Sequence, residues 1–441
     1  MQSTFISLDF CHLKNLFTHS IVHPYMKNII LFDNEVREAL LPLTFTRPIA
    51  ELRIGILTIS QKWEQMLGGK ASYLTQNYLA KKYPIHIEAE NFVIDGSVIP
   101  TPELARLVAQ LDLNEALMDG DEFIAAKVTN DQIAHLMNNE PIAALEGTDI
   151  AGTPFLKIRH TWDLFRYNKT AIQLDFVALT KNRPSAPISS TNTLINKHQI
   201  FVEAGATVEC SVLNATDGPI YIGKNAVVME GCLIRGAFAL GDNATLKMGA
   251  KVYGPTTIGP SSKFGGEIKN SVVFGYSNKS HDGYLGNAVI GEWCNLGANT
   301  NNSNMKNNYS MVKVWNYEAN NYINSGEQFC GLVMGDHTKC GINTMLNTGT
   351  VIGIFGNIFG AGFPAKFIPS FTWGGVNSST TYQLEKALQV AEKVYQRRKK
   401  SFDSTEQNII KAIFEQTRQY RLWEKAPTTV IVEPPVAFVK S

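Results

Sequence analysis

Residues 222–264 read IGKNAVVMEGCLIRGAFALGDNATLKMGAKVYGPTTIGPSSKF. Every sixth residue is apolar: Ile222, Val228, Ile234, Leu240, Leu246, Val252, Ile258 and Phe264. Glycine follows four of them, at Gly223, Gly241, Gly259 and Gly265. An α-helix repeats its apolar positions at three and four, and a simple strand alternates, so neither gives a period of six. A hexapeptide parallel β-helix does. Each short strand sends one aliphatic side chain into a narrow prism, and each corner takes small or turn-forming residues.

The register breaks near Asn270 and resumes at Val272, running through Tyr284, Ile290 and Leu296 with Asn278 as a polar exception. A third run is Met334, Cys340, Leu346, Ile352 and Ile358, with glycine again at 335, 341 and 353. The pattern predicts a β-helix domain over 186–373 with these residues pointing inward.

Residues 26–185 read as a mixed α/β domain. The strand-like NIILF (28–32) and NFVID (91–95) accompany the helical TPELARLVAQL, in which Leu104, Leu107 and Leu111 share a face and Thr101-Pro102-Glu103 forms a start. The stretch KNRPSAPISS (181–190) reads as a linker. Residues 374–441 hold two helices and a tail. The first carries a stripe of Leu384, Leu388, Ala391 and Tyr395, and the second covers about 404–424. Residues 1–25 lack the basic and apolar regions of a signal peptide. A second start at Met26 makes them either a spurious upstream extension or a disordered arm.

A chain of 441 residues exceeds one ordinary core, so two or more domains are expected. Lys plus Arg number 40 and Asp plus Glu 39, which lacks the basic excess of a nucleic-acid-binding protein. Six cysteines without a CxxC pair read as reduced thiols of a cytoplasmic protein. No apolar run is long enough to span a membrane.

Residues 265–304, GGEIKNSVVFGYSNKSHDGYLGNAVIGEWCNLGANTNNSN, contain one histidine. Taken alone, His281 reads as a turn residue as readily as a base. The surrounding spacing resembles the acetyltransferase domain of bifunctional UDP-N-acetylglucosamine pyrophosphorylase/glucosamine-1-phosphate N-acetyltransferases. That pattern runs E-x-K, a short insertion, H-x-x-Y-x-G-D-A, an isoleucine-glycine pair, N-x-G-A-G and C-N-Y. Glu267, Lys269, His281, Tyr284, Gly286, Ala288, Asn295, Gly297, Ala298 and Asn304 fall at its spacing.

The resemblance implies a left-handed β-helix, a homotrimer, acetyl-CoA as co-substrate and a sugar phosphate or nucleotide sugar as partner. His281 would be the general base on the sugar amine, since an unperturbed imidazole titrates near neutrality. Lys269 would pair with the sugar phosphate. Tyr284 and Asn295 would hold the sugar, and Asn304 and the Gly297-Ala298 backbone would line the acetyl-CoA path. Four positions depart from the pattern. Asn287 replaces the aspartate, Asn299 a glycine, Ser303-Asn304-Met305 the C-N-Y, and Ser310 a lysine for which Lys313 is the substitute.

The segment ALLPLTFTRPIAELRIGILTI (39–59) resembles sugar nucleotidyltransferases, whose Rossmann-like domain carries G-x-G-T-R and then P-L-T-x-x-x-P-K. Pro42, Leu43, Thr44 and Pro48 match. The glycine-rich loop is replaced by Asn34, Glu35 and Arg37, its arginine by Ala39, and the lysine by Ile49. A phosphate cradle needs the close backbone approach that glycine permits. Arg37 and Arg47 are the remaining phosphate contacts, and Asp95 in FVIDGSVIPTPEL is the candidate Mg²⁺ ligand. The chain is similar to a divergent sugar nucleotidyltransferase-like family from Met26 onward, which implies a transferase of sugar-nucleotide and cell-envelope polysaccharide biosynthesis. Two alternatives remain open: an active nucleotidyltransferase whose β-helix serves oligomerisation or regulation, and a non-enzymatic sugar-nucleotide sensor.

Overall fold

The computed structural model describes residues 27–138, 140 and 145–424, so the expectation for residues 1–25 lies outside the described residues. The first domain is built on a six-stranded sheet: β1 Asn28–Phe32, β2 Lys70–Leu74, β3 Glu90–Asp95, β4 Glu115–Asp119, β5 Glu122–Thr129 and β6 Glu146–Asp149. Its order is β2-β1-β3-β5-β4-β6. β1 runs parallel to β2 and β3, while β5 is antiparallel to β3 and β4. Residues alternate between two cores, with Ile29, Leu31 and Ile94 facing one and Ile30 and Val93 the other.

Helix α1, Ile59–Leu67, starts with a capping box between Thr58 and Gln61. Helix α2, Pro102–Ala109, is capped by Thr101 with proline in its first turn, where a missing N–H costs nothing. Helix α3, Asn168–Thr180, leads out of the domain. Its Asp175 accepts from the Ile56 and Leu57 amides at 2.7 and 3.1 Å and pairs with buried Lys62.

The remainder winds into a parallel β-solenoid with three sheets of six, nine and ten strands. The first face begins at Thr193–Ile195, the second at Ile200–Val202 and the third at Thr207–Val208. Ile222 through Phe264 of the six-residue series are all at most 2 % exposed, as are all members of the third run except Cys340 at 4 %. Between them the sequence register needs correction. Phe264 is followed inward by Ile268 and Val273, so two corners are shorter than the repeat. The inward residues are therefore Val273, Lys279 and Leu285, not Val272, Asn278 and Tyr284. A further short corner after Leu285 brings Ile290 and Leu296 back into phase. Val272, placed inward by the sequence, lies on the outside of the second face and packs against the first domain.

That outer surface merges the parts of the chain. Val272, Phe274, Val289, Val333 and Val351 belong to one apolar cluster with Leu43, Phe45, Ala387 and Ile410. The 303–331 insertion contributes Val314 and Tyr317 from an antiparallel hairpin, Lys313–Asn316 with Asn321–Asn324. Helices α4, Leu384–Arg397, and α5, Ser404–Gln416, complete the covering. The second helix is shorter than the sequence indicates, with two 3-10 turns after it.

The edge between the second and third faces shows why the helices dock there. From the second coil on, each coil turns that edge through one left-handed residue that is not glycine. These are Asn225, Asn243 and Ser261 in early coils, then Tyr276, Trp293, His337, Phe355 and Phe371, with φ between 52° and 62°. That conformation costs a bulky residue about 1–2 kcal/mol. The rings offset it by stacking, with centroids 4.3 Å apart for Tyr276–Trp293, 4.4 Å for His337–Phe355 and 5.3 Å for Phe355–Phe371. Tyr395 of α4 stacks on Trp293 at 4.4 Å, and Phe414 of α5 meets Phe371 edge-on at 4.8 Å.

Candidate functional site

With the second face covered, the first face and the edge joining it to the third remain open. Register places Tyr253 beside Lys269, Glu267 beside Tyr284, and Lys269 beside Gly286. A Cβ at Gly286 would come within 2.3 Å of the Tyr284 Oη, so glycine there lets the phenol lie across the strand. Asn304 Nδ2 donates to that Oη at 3.0 Å and to Asn287 Oδ1 at 2.8 Å. The Lys269 ammonium sits 5.7 Å from the Tyr253 ring centre and 5.5 Å from that of Phe329. Tyr253 donates to Glu267 at 2.5 Å. Burial raises the pKa of Tyr284 and, with Glu267 adding to it, of Tyr253, so both phenols stay protonated at neutral pH.

His281 lies on the edge between the third and first faces. It is exposed, and its imidazole takes part in no hydrogen bond or ion pair among the described residues. Its carbonyl accepts from Lys279 Nζ at 2.9 Å. The next coil's corner lies directly over it, with Asn299 N–H donating to Asp282 O at 2.9 Å. Here two expected roles change. The Gly297 N–H donates to Cys340 O at 3.0 Å, so ladder pairing engages an amide expected to line the acetyl-CoA path. Asn295 belongs to the third face, where its Oδ1 accepts from Asn278 Nδ2 at 2.8 Å. Ala298 is half-buried and its carbonyl accepts from Asn343 N–H. Lys313 is exposed on the hairpin, its carbonyl accepting from Lys366. The fold thus gathers Lys269, Tyr284 and Asn304 and leaves Asn295 and Lys313 apart.

In the first domain, Asp33 and Asp95 stand at the carboxyl ends of parallel β1 and β3, where open α/β sheets bind ligands. Asp95 Oδ2 accepts from Asn34 at 2.8 Å and pairs with Lys157 at 2.9 Å, while Oδ1 accepts from the Ser97 amide and hydroxyl at 2.8 and 2.7 Å. An ammonium already stands where a metal would, and both oxygens of Asp95 are each engaged twice, so the carboxylate as it stands does not fit Mg²⁺. Arg37 is buried against Asp33 at 2.7 Å, the Arg47 carbonyl at 3.1 Å, the Thr44 carbonyl and the Tyr78 hydroxyl. Burial raises the Asp33 pKa, with Arg37 opposing. Arg47 is also buried, in an ion pair with Asp336 of the solenoid. Neither arginine is free to meet a phosphate as it stands.

Sequence reasoning missed three residues near this chemistry. Tyr253 lies one coil from Lys269 and was visible only with the correct coil length. Lys279 was hidden by the one-residue slip. Phe329 sits in the aperiodic insertion, which carries no signal of its own.

The chain thus joins a mixed α/β sheet to a hexapeptide β-solenoid. Residues 29–184 match the family described as sugar nucleotidyl transferase. The chain is 36% identical over 93 residues to the bifunctional sugar-1-phosphate nucleotidylyltransferase/acetyltransferase of Sulfurisphaera tokodaii, covering 21% of this chain and 23% of that one. It is 34% identical over 98 residues to the bifunctional protein GlmU of Methanocaldococcus jannaschii, covering 22% of each. These matches span less than a quarter of either relative's length. Among solved structures, an Arabidopsis UDP-N-acetylglucosamine acyltransferase is 14% identical, with 56% of this chain and 85% of that one covered and a TM-score of 0.19.

Proposed function

We propose that the protein is a transferase of sugar-nucleotide biosynthesis whose working site is on the solenoid, moving an acetyl group from acetyl-CoA to the amine of an amino-sugar phosphate. The observation that carries this is the exposed His281 imidazole, unpartnered among the described residues, at the edge of the face holding Lys269, Tyr284 and Asn304. His281 takes the amine proton as nitrogen attacks the thioester carbonyl, and the CoA thiolate leaves when the tetrahedral adduct collapses. Lys269, steadied between two rings, pairs with the phosphate. Tyr284 and Asn304 position the sugar. Asn295 lies around the edge, so a neighbouring copy in a homotrimer brings it to the site. Met248 and Ile342, 64 % and 73 % exposed on the same edge as His281, supply apolar contact for that packing.

The test is release of free CoA thiol from acetyl-CoA with glucosamine-1-phosphate and related amino-sugar phosphates. Thiol release that requires the sugar and disappears in His281→Gln supports the reading; no release with any amine overturns it. A second reading, nucleotidyl transfer by the first domain, is favoured by the family match over 29–184 and by Asp33 and Asp95 at the strand ends. The engaged Arg37, Arg47 and Asp95 weigh against it. Pyrophosphate release from a nucleoside triphosphate and a sugar-1-phosphate would reverse this ranking.

A further inference from the structure

Lys279 occupies a core position in the third face of the solenoid. It pairs in register with Phe264 of the coil before, and Leu296 holds the same inward position in the coil after. The residue is 0 % exposed, among aliphatic and aromatic neighbours. The other inward residues of the six-residue series from Ile222 to Phe264 are apolar, and a buried ammonium carries a large desolvation cost. Packing does not account for a lysine here, because methionine or leucine would fill the same volume without that cost.

What the ammonium touches gives the reason. Nζ donates to the carbonyl oxygen of His281 at 2.9 Å, reaching from inside the prism to the corner that carries the exposed imidazole. Asp282 is the charged group that acts on it there. The next coil holds this corner through the Asn299 amide donating to Asp282 O and through Asn301 Oδ1, which accepts from the Tyr284 amide at 2.7 Å. The 281–284 segment is thus tied to the next coil at both 282 and 284, and Lys279 ties 281 from inside the prism.

We propose that Lys279 is a positioning residue that fixes the backbone of His281 and thereby aims its imidazole over the first face. This rests on the acetyl-transfer reading for its catalytic consequence and on the geometry alone for the backbone tie. In the full-length protein, Lys279→Met and Lys279→Leu keep the core volume and remove the donor. Both variants are expected to fold. Hydrogen exchange of peptides spanning 281–284 should rise about tenfold, while the neighbouring corner at 297–300 stays unchanged. The kcat for thiol release should fall about tenfold or more with KM within about twofold, because misaimed catalytic groups cost rate rather than binding.

Unchanged exchange at 281–284 overturns the tie, and a loosened corner with unchanged kcat overturns the positioning role. If neither variant folds, Lys279 is a packing residue and the proposal falls. A wild-type protein inactive on every amine, with the corner loosened in both variants, sinks the acetyl-transfer reading while upholding the tie.

Discussion

Arg47 Nη2 lies 2.5 Å from Asp336 Oδ2, joining two residues 289 positions apart and linking the proline-rich loop of the first domain to the solenoid. Thr46 Oγ1 donates to the same oxygen at 2.7 Å, Glu292 lies 3.3 Å from Arg47, and the guanidinium rests over Phe274 at 5.2 Å. Burial works against the guanidinium charge, but Asp336 and Glu292 outweigh it and hold the group protonated. Asp336→Ala leaves that cation buried without its main partner, at a cost of about 3–5 kcal/mol in urea unfolding. The double variant Arg47→Met/Asp336→Leu should recover most of the loss. A double variant as unstable as Asp336→Ala would show that the charge is not the cause.

The same joint bears on truncation. Residues 26–185 expressed alone would expose Phe45, Leu43 and an unpaired Arg47, all covered in the full chain. We expect that fragment to aggregate or to lack a cooperative unfolding transition, where the whole protein has one. A monomeric fragment melting cooperatively would contradict the shared core.

His281→Gln separates chemistry from stability. The side chain is exposed and free of partners among the described residues, so the melting temperature should not move, with a change within about 0.5 kcal/mol. The kcat for acetyl transfer should drop about 10²–10⁴-fold. A large stability change accompanying the loss would point to a turn role for the residue.

Lys279 gives a pH signature in stability. Burial lowers its folded pKa to about 8, below the ordinary 10.5, with Asp282 opposing. Between those values the unfolded chain holds a proton that the folded chain has released, so stability rises with pH across that window. The penalty is complete below pH 8. Lys279→Met removes it, so the variant should be more stable than wild type there by about 3 kcal/mol. The two curves should converge by about pH 10.5. Parallel curves from pH 7 to 11 would mean that the lysine titrates normally.

The solenoid was legible because its core chemistry repeats. Ile222 to Phe264 carry one apolar side chain inward at a fixed step, so spacing alone placed eight core residues. Legibility failed where corners shorten, since a one-residue error turns every following side chain from core to surface. That slip hid Lys279 and put Tyr284 inside, although the motif comparison had Tyr284 on the surface with Lys269. The first domain's loop was read as a phosphate site because its prolines match such loops. What the local sequence could not show was Asp336, almost three hundred residues away, which takes up the arginine.

His337 tests the aromatic ladder on which the C-terminal helices rest. It lies between the rings of Trp293 and Phe355 with Tyr395 beside it, 5 % exposed, and its Nδ1 has no hydrogen-bond partner among the described residues. Burial lowers its pKa well below 6.5, and the cations Lys339, Lys82 and Arg47 add to the effect. The folded state therefore keeps the imidazole neutral while the unfolded chain protonates it below about pH 6.5. Stability contributed by the neutral ring is complete above that value and declines as pH falls. His337→Phe keeps a flat ring in the stack and removes the titration. Compared by urea unfolding from pH 7.5 to 5, wild type should lose stability more steeply than the variant, the gap opening only below pH 6.5. Aspartates and glutamates titrate in both proteins, so the difference between the curves isolates residue 337. Equal slopes would mean that His337 takes up a proton in the folded state, with the Nδ1 meeting a partner once it does.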